Sequence, residues 1–292
     1  MSLVATPADA VDAGLIYVTD QERGLARRRS GSGFSYWHAD GRPASVADRA
    51  RAKALVIPPA WTDVWICAQP TGHVQATGRD DAGRKQYLYH PAWEELRDEL
   101  KYDSLGRFAA GLGDLRHQVD SDLRRHGFPR EKVVALVVAI MDSTLIRVGN
   151  RSATGAFGLT TLESEHVDAG TVRLSFEFVG KGGLEHQIEL SDRRLASHVR
   201  QIQELPGQRL FTWEENGKAG SITSGDVNDY LRIVFGTGTS AKDFRTWGGT
   251  VAVARFLAEE PPPDEDKKRD KKVLAAIDDA ADRLGNTRAV VR

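Results

Sequence analysis

A change of period near residue 90 limits the folds open to this chain more than any other feature of it. Before that point, short segments rich in aromatic or β-branched residues alternate with Gly, Asp or Pro turns, and Leu15 to Val18, Gly33 to Tyr36 and Val64 to Cys67 read as strands. Val46 to Leu55 predicts a short helix stopped by Pro58-Pro59, and the polar run Thr77 to Arg84 reads as a loop. Beyond His90-Pro91, longer segments with apolar residues every three or four positions take over. The expectation is an α+β protein with a small β-rich domain over residues 1–90 and a larger, mainly α-helical domain over 91–292. At 292 residues the chain is long enough for each to bury a core.

Within the second part, Pro129-Arg-Glu-Lys opens a helix whose Val133, Leu136, Val137, Ile140, Met141 and Leu145 form one apolar stripe, carrying Arg147 to its C-terminal end. A hairpin follows. Val172, Leu174, Phe176 and Phe178 alternate with Arg173, Ser175 and Glu177. Leu184, His186, Ile188 and Leu190 then alternate with Glu185, Gln187 and Glu189. Gly180-Lys181-Gly182-Gly183 joins the two, so Lys181 rides an exposed, glycine-rich turn. Further helices are predicted over 192–204, 225–235, 242–258 and 271–284, the last capped by Gly285, while 259–272 reads as a mobile linker.

Composition works mainly by exclusion. Apolar residues make up 40% and charged residues 28%, as in ordinary globular proteins. No run approaches the ~20 apolar residues of a membrane span, and the N-terminus lacks a basic-then-apolar signal pattern, so a cytoplasmic location is expected. The single cysteine, Cys67, excludes an internal disulfide framework and cysteine metal clusters. Lys plus Arg is 40 against 41 for Asp plus Glu, which argues against uniform basic coating. Local clusters at Arg23, Arg27, Arg28 and Arg29, and at Arg79, Arg84 and Lys85, leave a one-sided basic surface open. The histidines lack metal-ligand spacing. Gly236 to Lys242 departs from the Walker pattern, and no Gly-x-Ser-x-Gly elbow occurs. Chemistry without a metal or cofactor fits best.

Four cations in separate small motifs carry the functional reading. Arg147 follows a buried helix and enters the irregular stretch 151–157, where it is placed to reach an anion; a lone Arg at such an end ordinarily offsets the helix dipole. Lys181 is by base rate a solvated turn lysine, yet its turn gives it the reach to protonate a leaving oxygen. Arg245 and Lys242 lie where a helix begins and backbone N–H groups favour phosphate; the plain alternative is an ion pair of Arg245 with Asp243 or Glu214. Together they suit a phosphoryl-transfer transition state, whose charge lies on equatorial oxygens. Lys85, Gln86, Tyr87 and Tyr89 join a cation and a base-reading amide to rings that can contact sugars or base edges; their bland reading is a solvated loop running into a strand.

Read together, the motifs resemble the small type IB DNA topoisomerases of bacteria, relatives of the poxvirus enzymes. The likeness runs almost end to end through Ile57-Pro-Pro-Ala-Trp-Thr-Asp-Val-Trp65, Gly72-His-Val-Gln-Ala-Thr-Gly-Arg79, Gly83-Arg-Lys-Gln-Tyr87, Ile146-Arg-Val-Gly-Asn150, Phe157-Gly-Leu-Thr-Thr-Leu162, Asp226-Val-Asn-Asp-Tyr-Leu-Arg232 and Ala241-Lys-Asp-Phe-Arg-Thr-Trp247. It implies a monomer that clamps double-stranded DNA in the nucleoid. A tyrosine there forms a 3′-phosphotyrosyl link, supercoils relax, and the strand reseals without ATP or an obligatory metal. Carried over by position, Arg147 and Arg245 would grip non-bridging oxygens and Lys181, supported by Lys242, would protonate the 5′ oxygen. Asn286 would donate to a phosphate oxygen, and Gln86, Tyr87 and Tyr89 would touch the major groove. The family's nucleophilic tyrosine falls a few residues beyond Asn286-Thr287, past Arg292, and Tyr230 belongs to a different motif. The expectation is a chain lacking its C-terminal part, able to bind DNA but not to form the covalent link. A tyrosine recombinase and a non-catalytic DNA clamp are the rivals; Lys85-Gln-Tyr-Leu-Tyr89 and the lysine at 242 disfavour the first.

Overall fold

The computed structural model describes residues 6–150, 155–236 and 238–291. The chain is α+β, and it divides into two compact units, one ending at Asp103 and the other beginning at Ser104. The boundary expected near residue 90 marks the start of a helix, α3 below, inside which the units part.

The first unit opens with α1 (Pro7–Asp12), capped by Thr6 and Asp9. Strands β1 (Gly24–Ser30) and β2 (Gly33–His38) form a hairpin, α2 (Val46–Ala54) starts on the Ser45 cap, and β3 (Thr62–Cys67), β4 (Val74–Arg79) and β5 (Lys85–Tyr89) complete one antiparallel sheet of order β2-β1-β3-β4-β5. Leu25, Tyr36, Val64, Ile66 and Ala76 share one face of it and bury against Ala52 and Ile57.

Three readings of this part need correction. Leu15 to Val18 is no strand: apart from one bridge at Ile16, it is held by the ring of His73, whose Nδ1 accepts from Val18 N at 3.1 Å. The cluster Arg27 to Arg29 lies within β1, which pairs on both sides. Arg27 turns inward over the Phe34 ring and donates to the carbonyls of Ile57, Pro58 and Trp61, so it adds nothing to a basic surface. The loop expected over Thr77 to Arg84 begins later, because Thr77, Gly78 and Arg79 belong to β4. Only 80–84 turns, with Asp80 accepting from the backbone N–H of Ala82 and Arg84.

In the second unit, the long helix α3 (Pro91–Leu123) packs Phe108, Leu112, Leu115 and Val119 into a core shared with α4 (Arg130–Thr144). Residues 133–138 of α4 are all buried, so it is a central helix covered all round rather than one with an apolar stripe. A three-stranded sheet of order β6-β7-β8 follows, from β6 (Val167–Ala169), β7 (Arg173–Val179) and β8 (Glu185–Ser191), with Leu174, Phe176 and Phe178 opposite Leu190, Ile188 and His186. Helix α5 (Arg193–Ile202) begins on Asp192, which accepts from two backbone N–H groups, and buries Leu195, Ala196, Val199 and Ile202. After the hairpin β9 (Thr212–Glu215) and β10 (Lys218–Ser221) come α6 (Ser224–Phe235), α7 (Ala241–Ala258), α8 (Asp266–Leu284) and the short α9 (Arg288–Val291). The linker expected to reach residue 272 ends earlier, because α8 already begins at Asp266. Among the described residues, no helix is long and apolar enough to cross a membrane.

Candidate active site

Three segments of the second unit meet at one cleft, and each is fixed by its own backbone. Helix α4 stops where Leu145 adopts a left-handed conformation (φ 57°). The chain then runs beside residues 157–162: Leu159 N donates to Arg147 O at 2.9 Å, Thr160 N to Val148 O at 2.7 Å, and Phe157 N to Val179 O at 2.9 Å. Arg147 is thereby tied to the end of β7 and the Lys181 turn. On the third segment α8 ends at Gly285 (φ 53°), which lets Asn286 N close back onto Ala281 O at 2.8 Å.

Asn286 Oδ1 accepts from both arginines, from Arg147 Nη2 at 2.5 Å and Arg245 Nη2 at 3.2 Å. Arg245 also donates to Leu145 O at 2.5 Å and Leu284 O at 2.6 Å, so one guanidinium ties the ends of α4 and α8 to α7. The ion pair expected as its plain alternative, with Asp243 or Glu214, is absent among the described residues. With its carbonyl occupied, Asn286 keeps its amide N–H groups unpartnered among the described residues, free to donate to a ligand.

Arg147, Lys181, His186 and Arg245 all line this cleft, and among the described residues no carboxylate lines it. Arg283 reaches the rim but is paired with Asp279 at 2.7 Å. Burial pushes the Arg245 guanidinium down to about 10, and the nearby charge of Arg147 adds to the effect. Burial likewise lowers Arg147. His186 is held below the ordinary histidine range by burial, then by Arg147 and Arg245. Each shift has one origin: positive charge withdrawn from water without a counter-ion. Such a site favours an anion, because an anion supplies the missing partner.

Of the remaining predicted residues, Lys181 shares the cleft and the others lie elsewhere. Lys181 is exposed at the hairpin tip, with no ion pair or hydrogen bond among the described residues. Lys242 is exposed in the first turn of α7 and does not line the cleft. Nor is the start of α7 an open phosphate seat as expected: Ala241 N donates to Asn228 Oδ1 at 3.0 Å and Ser240 N to Asp243 Oδ2 at 2.7 Å. Tyr230 is buried, and its hydroxyl donates to Asp122 at 2.8 Å. Burial and that carboxylate push the phenol far up, the opposite of what a nucleophile needs.

In the first unit the four candidate DNA contacts lie along β5, an edge strand. Alternation puts Lys85, Tyr87 and Tyr89 on one face and Gln86 on the other. Tyr87 stacks on Tyr89 with ring centroids 5.9 Å apart, Lys85 lies over Tyr87 and Arg97 over Tyr89. Two of the set have partners the sequence did not suggest: Lys85 is paired with Asp20 at 2.5 Å, and Gln86 donates to Asp80 at 2.9 Å.

His186 was read only as an alternating position of the hairpin. The signal that could have marked it is that it alone is ionisable among the alternating apolar positions Leu184, His186, Ile188 and Leu190.

Comparison with known proteins gives matches over both units. Residues 90–292 match the family of the eukaryotic DNA topoisomerase I catalytic core, and residues 33–80 match the N-terminal domain of bacterial DNA topoisomerase IB. DNA topoisomerase 1B of Acanthamoeba polyphaga mimivirus is 27% identical over 279 residues, covering 91% of this chain and 83% of that protein. Among solved structures, the XerH site-specific recombinase bound to palindromic difH substrate after cleavage gives a TM-score of 0.37 at 15% identity over 61% of this chain. Its pre-cleavage complex with difH gives 0.37 at 14% identity over 61%. This chain spans 46% and 47% of those two recombinase chains.

Proposed function

The chain belongs to the type IB DNA topoisomerase family, and on that premise we propose that it relaxes supercoiled double-stranded DNA by cutting and resealing one strand, with no need of ATP, metal or cofactor. The observation that carries the reading is the convergence of Arg147, Arg245 and Lys181 on one cleft with no carboxylate among its described lining residues, beside Asn286, which bonds both arginines. A phosphodiester seated there receives guanidinium N–H donors and the free Asn286 amide on its non-bridging oxygens. Attack of a tyrosyl oxygen on phosphorus forms the 3′-phosphotyrosyl bond as the bond to the 5′ oxygen breaks. Lys181 gives its proton to that oxygen, and the phenolic proton passes to water. Resealing runs the same steps backward, and supercoils relax while the 5′ end is free. Lys242, outside the cleft lining, acts by raising the local positive potential that keeps phosphate near Lys181. Along β5, Tyr87, Tyr89 and Lys85 contact the major groove, while Gln86, on the opposite face and bonded to Asp80, touches DNA only from the strand's free edge. The protein acts as a monomer.

The test is relaxation of a plasmid that carries no recombination site by the full-length protein, with a chelator present and ATP absent. Relaxed topoisomers are expected, and their formation should vanish in Arg147→Ala. An unchanged plasmid would overturn the reading.

A further inference from the structure

We propose that His186 is a positioning residue of this reaction, its imidazole acting as the spacer that sets the Lys181 turn against the Asn286 segment. The inference deepens the reading above and rests on Lys181 acting as the proton donor.

The ring lies between two backbones from different elements. A methyl on Gly180 would sit 2.6 Å from its Cδ2 and Nε2, and a methyl on Gly285 would sit 2.4 Å from Cε1 and 3.0 Å from Nδ1. The first pair is the Cδ2–Nε2 edge of the imidazole and the second its Cε1–Nδ1 edge, so the one ring packs against both backbones. Gly180 precedes Lys181, and Gly285 precedes Asn286. The ring therefore gauges the distance between the two segments that bear the donor and the phosphate-binding amide. Phe178, its partner across the hairpin, stacks on it with centroids 5.0 Å apart and planes at 22°. Among the described residues the imidazole makes no hydrogen bond, so packing alone holds it. Among the described residues the charged groups at the cleft are Arg147, Arg245, Lys181 and Arg283, with no carboxylate; burial and the two nearer arginines disfavour the imidazolium, and the ring acts through shape.

A lysine on a glycine-rich turn samples many positions, and proton transfer needs it at hydrogen-bond distance from one oxygen. A misplacement of about 1 Å costs on the order of a hundredfold in rate. A rigid spacer one residue away from both groups removes that freedom.

The experiment compares two duplexes, cleaved by the full-length protein at a site mapped beforehand on plasmid DNA. One carries an ordinary phosphodiester there, the other a 5′-bridging phosphorothiolate, whose sulfur leaves without a proton. Lys181→Ala is expected to lose roughly a hundredfold on oxygen and to recover on sulfur. His186→Ala should follow it, losing roughly tenfold to a hundredfold on oxygen and recovering on sulfur. A ring serving stability alone would depress both substrates equally. Gly180→Ala drives a methyl into the ring and should give the same pattern; it carries the test if His186→Ala fails to fold by circular dichroism. The double variant should be no slower than His186→Ala, because removing the ring makes room for the methyl. Recovery of Lys181→Ala without recovery of His186→Ala or Gly180→Ala overturns the positioning role. Failure of Lys181→Ala itself to recover overturns the proton-donor reading, and the inference falls with it.

Discussion

Arg245 acts as a fork with fixed tines, spanning Leu145 O, Leu284 O and Asn286 Oδ1. A lysine is a point charge on a flexible stem and cannot span three acceptors. Arg245→Lys is therefore expected to slow single-turnover cleavage by the full-length protein about a hundredfold or more, while affinity for a non-cleavable duplex changes little. Equal losses in both would assign this residue to binding alone. Tyr230 gives a contrasting case. Its hydroxyl is one of three donors to the buried Asp122, beside Gln118 and Arg125. Tyr230→Phe should cost about 1.5–3 kcal/mol in urea unfolding, as expected for a hydrogen bond to a charged group, and leave DNA affinity unchanged.

At the scale of elements, the β7–β8 hairpin and the helices α5 to α7 were legible because one face of each is buried and the pattern repeats faithfully. Asp192 sharpens the point for α5: replacing it by alanine removes an acceptor for two backbone N–H groups and should cost about 1 kcal/mol in thermal or urea unfolding. Other elements hid for physical reasons. Strand β1 carries three successive arginines, and only the carbonyls of Ile57, Pro58 and Trp61 make an inward Arg27 tolerable. Helix α3 contains Gly106, Gly111 and Gly113, which weaken its helical signal, and the Phe235 ring packs where a side chain on Gly111 would stand. The site was legible in part. Arg147, Lys181 and Arg245 stand in distinct local motifs, but the acceptor role of Asn286 depends on Arg147, 139 residues earlier, and the wedge of His186 on Gly285 at the end of α8, so no local pattern encodes them. Asp20, which neutralises Lys85, is hidden for the same reason.

The whole molecule has near-zero net charge, so its grip on DNA has to come from placed cations rather than overall field. Affinity should still fall steeply between low and moderate salt, because each phosphate contact releases counterions; a flat titration would contradict this. Acid should weaken the fold as well. Burial holds His73, His186 and His198 below 6.5 in the native protein, so the unfolded chain takes up protons first. The histidine contribution is intact above 6.5 and declines as pH falls below it, until the native rings protonate too. A melting temperature that stays level from neutral pH down to about 5 would refute that linkage.

The anchoring of Arg245 by Leu284 and Asn286 has a temporal meaning. Both residues follow Arg147 and Arg245 in the chain, so a nascent chain that has already made α4 and α7 still lacks the clasp that orders its arginines. The ordering of the two guanidinium groups thus waits on the last turn of α8, however early their own helices form.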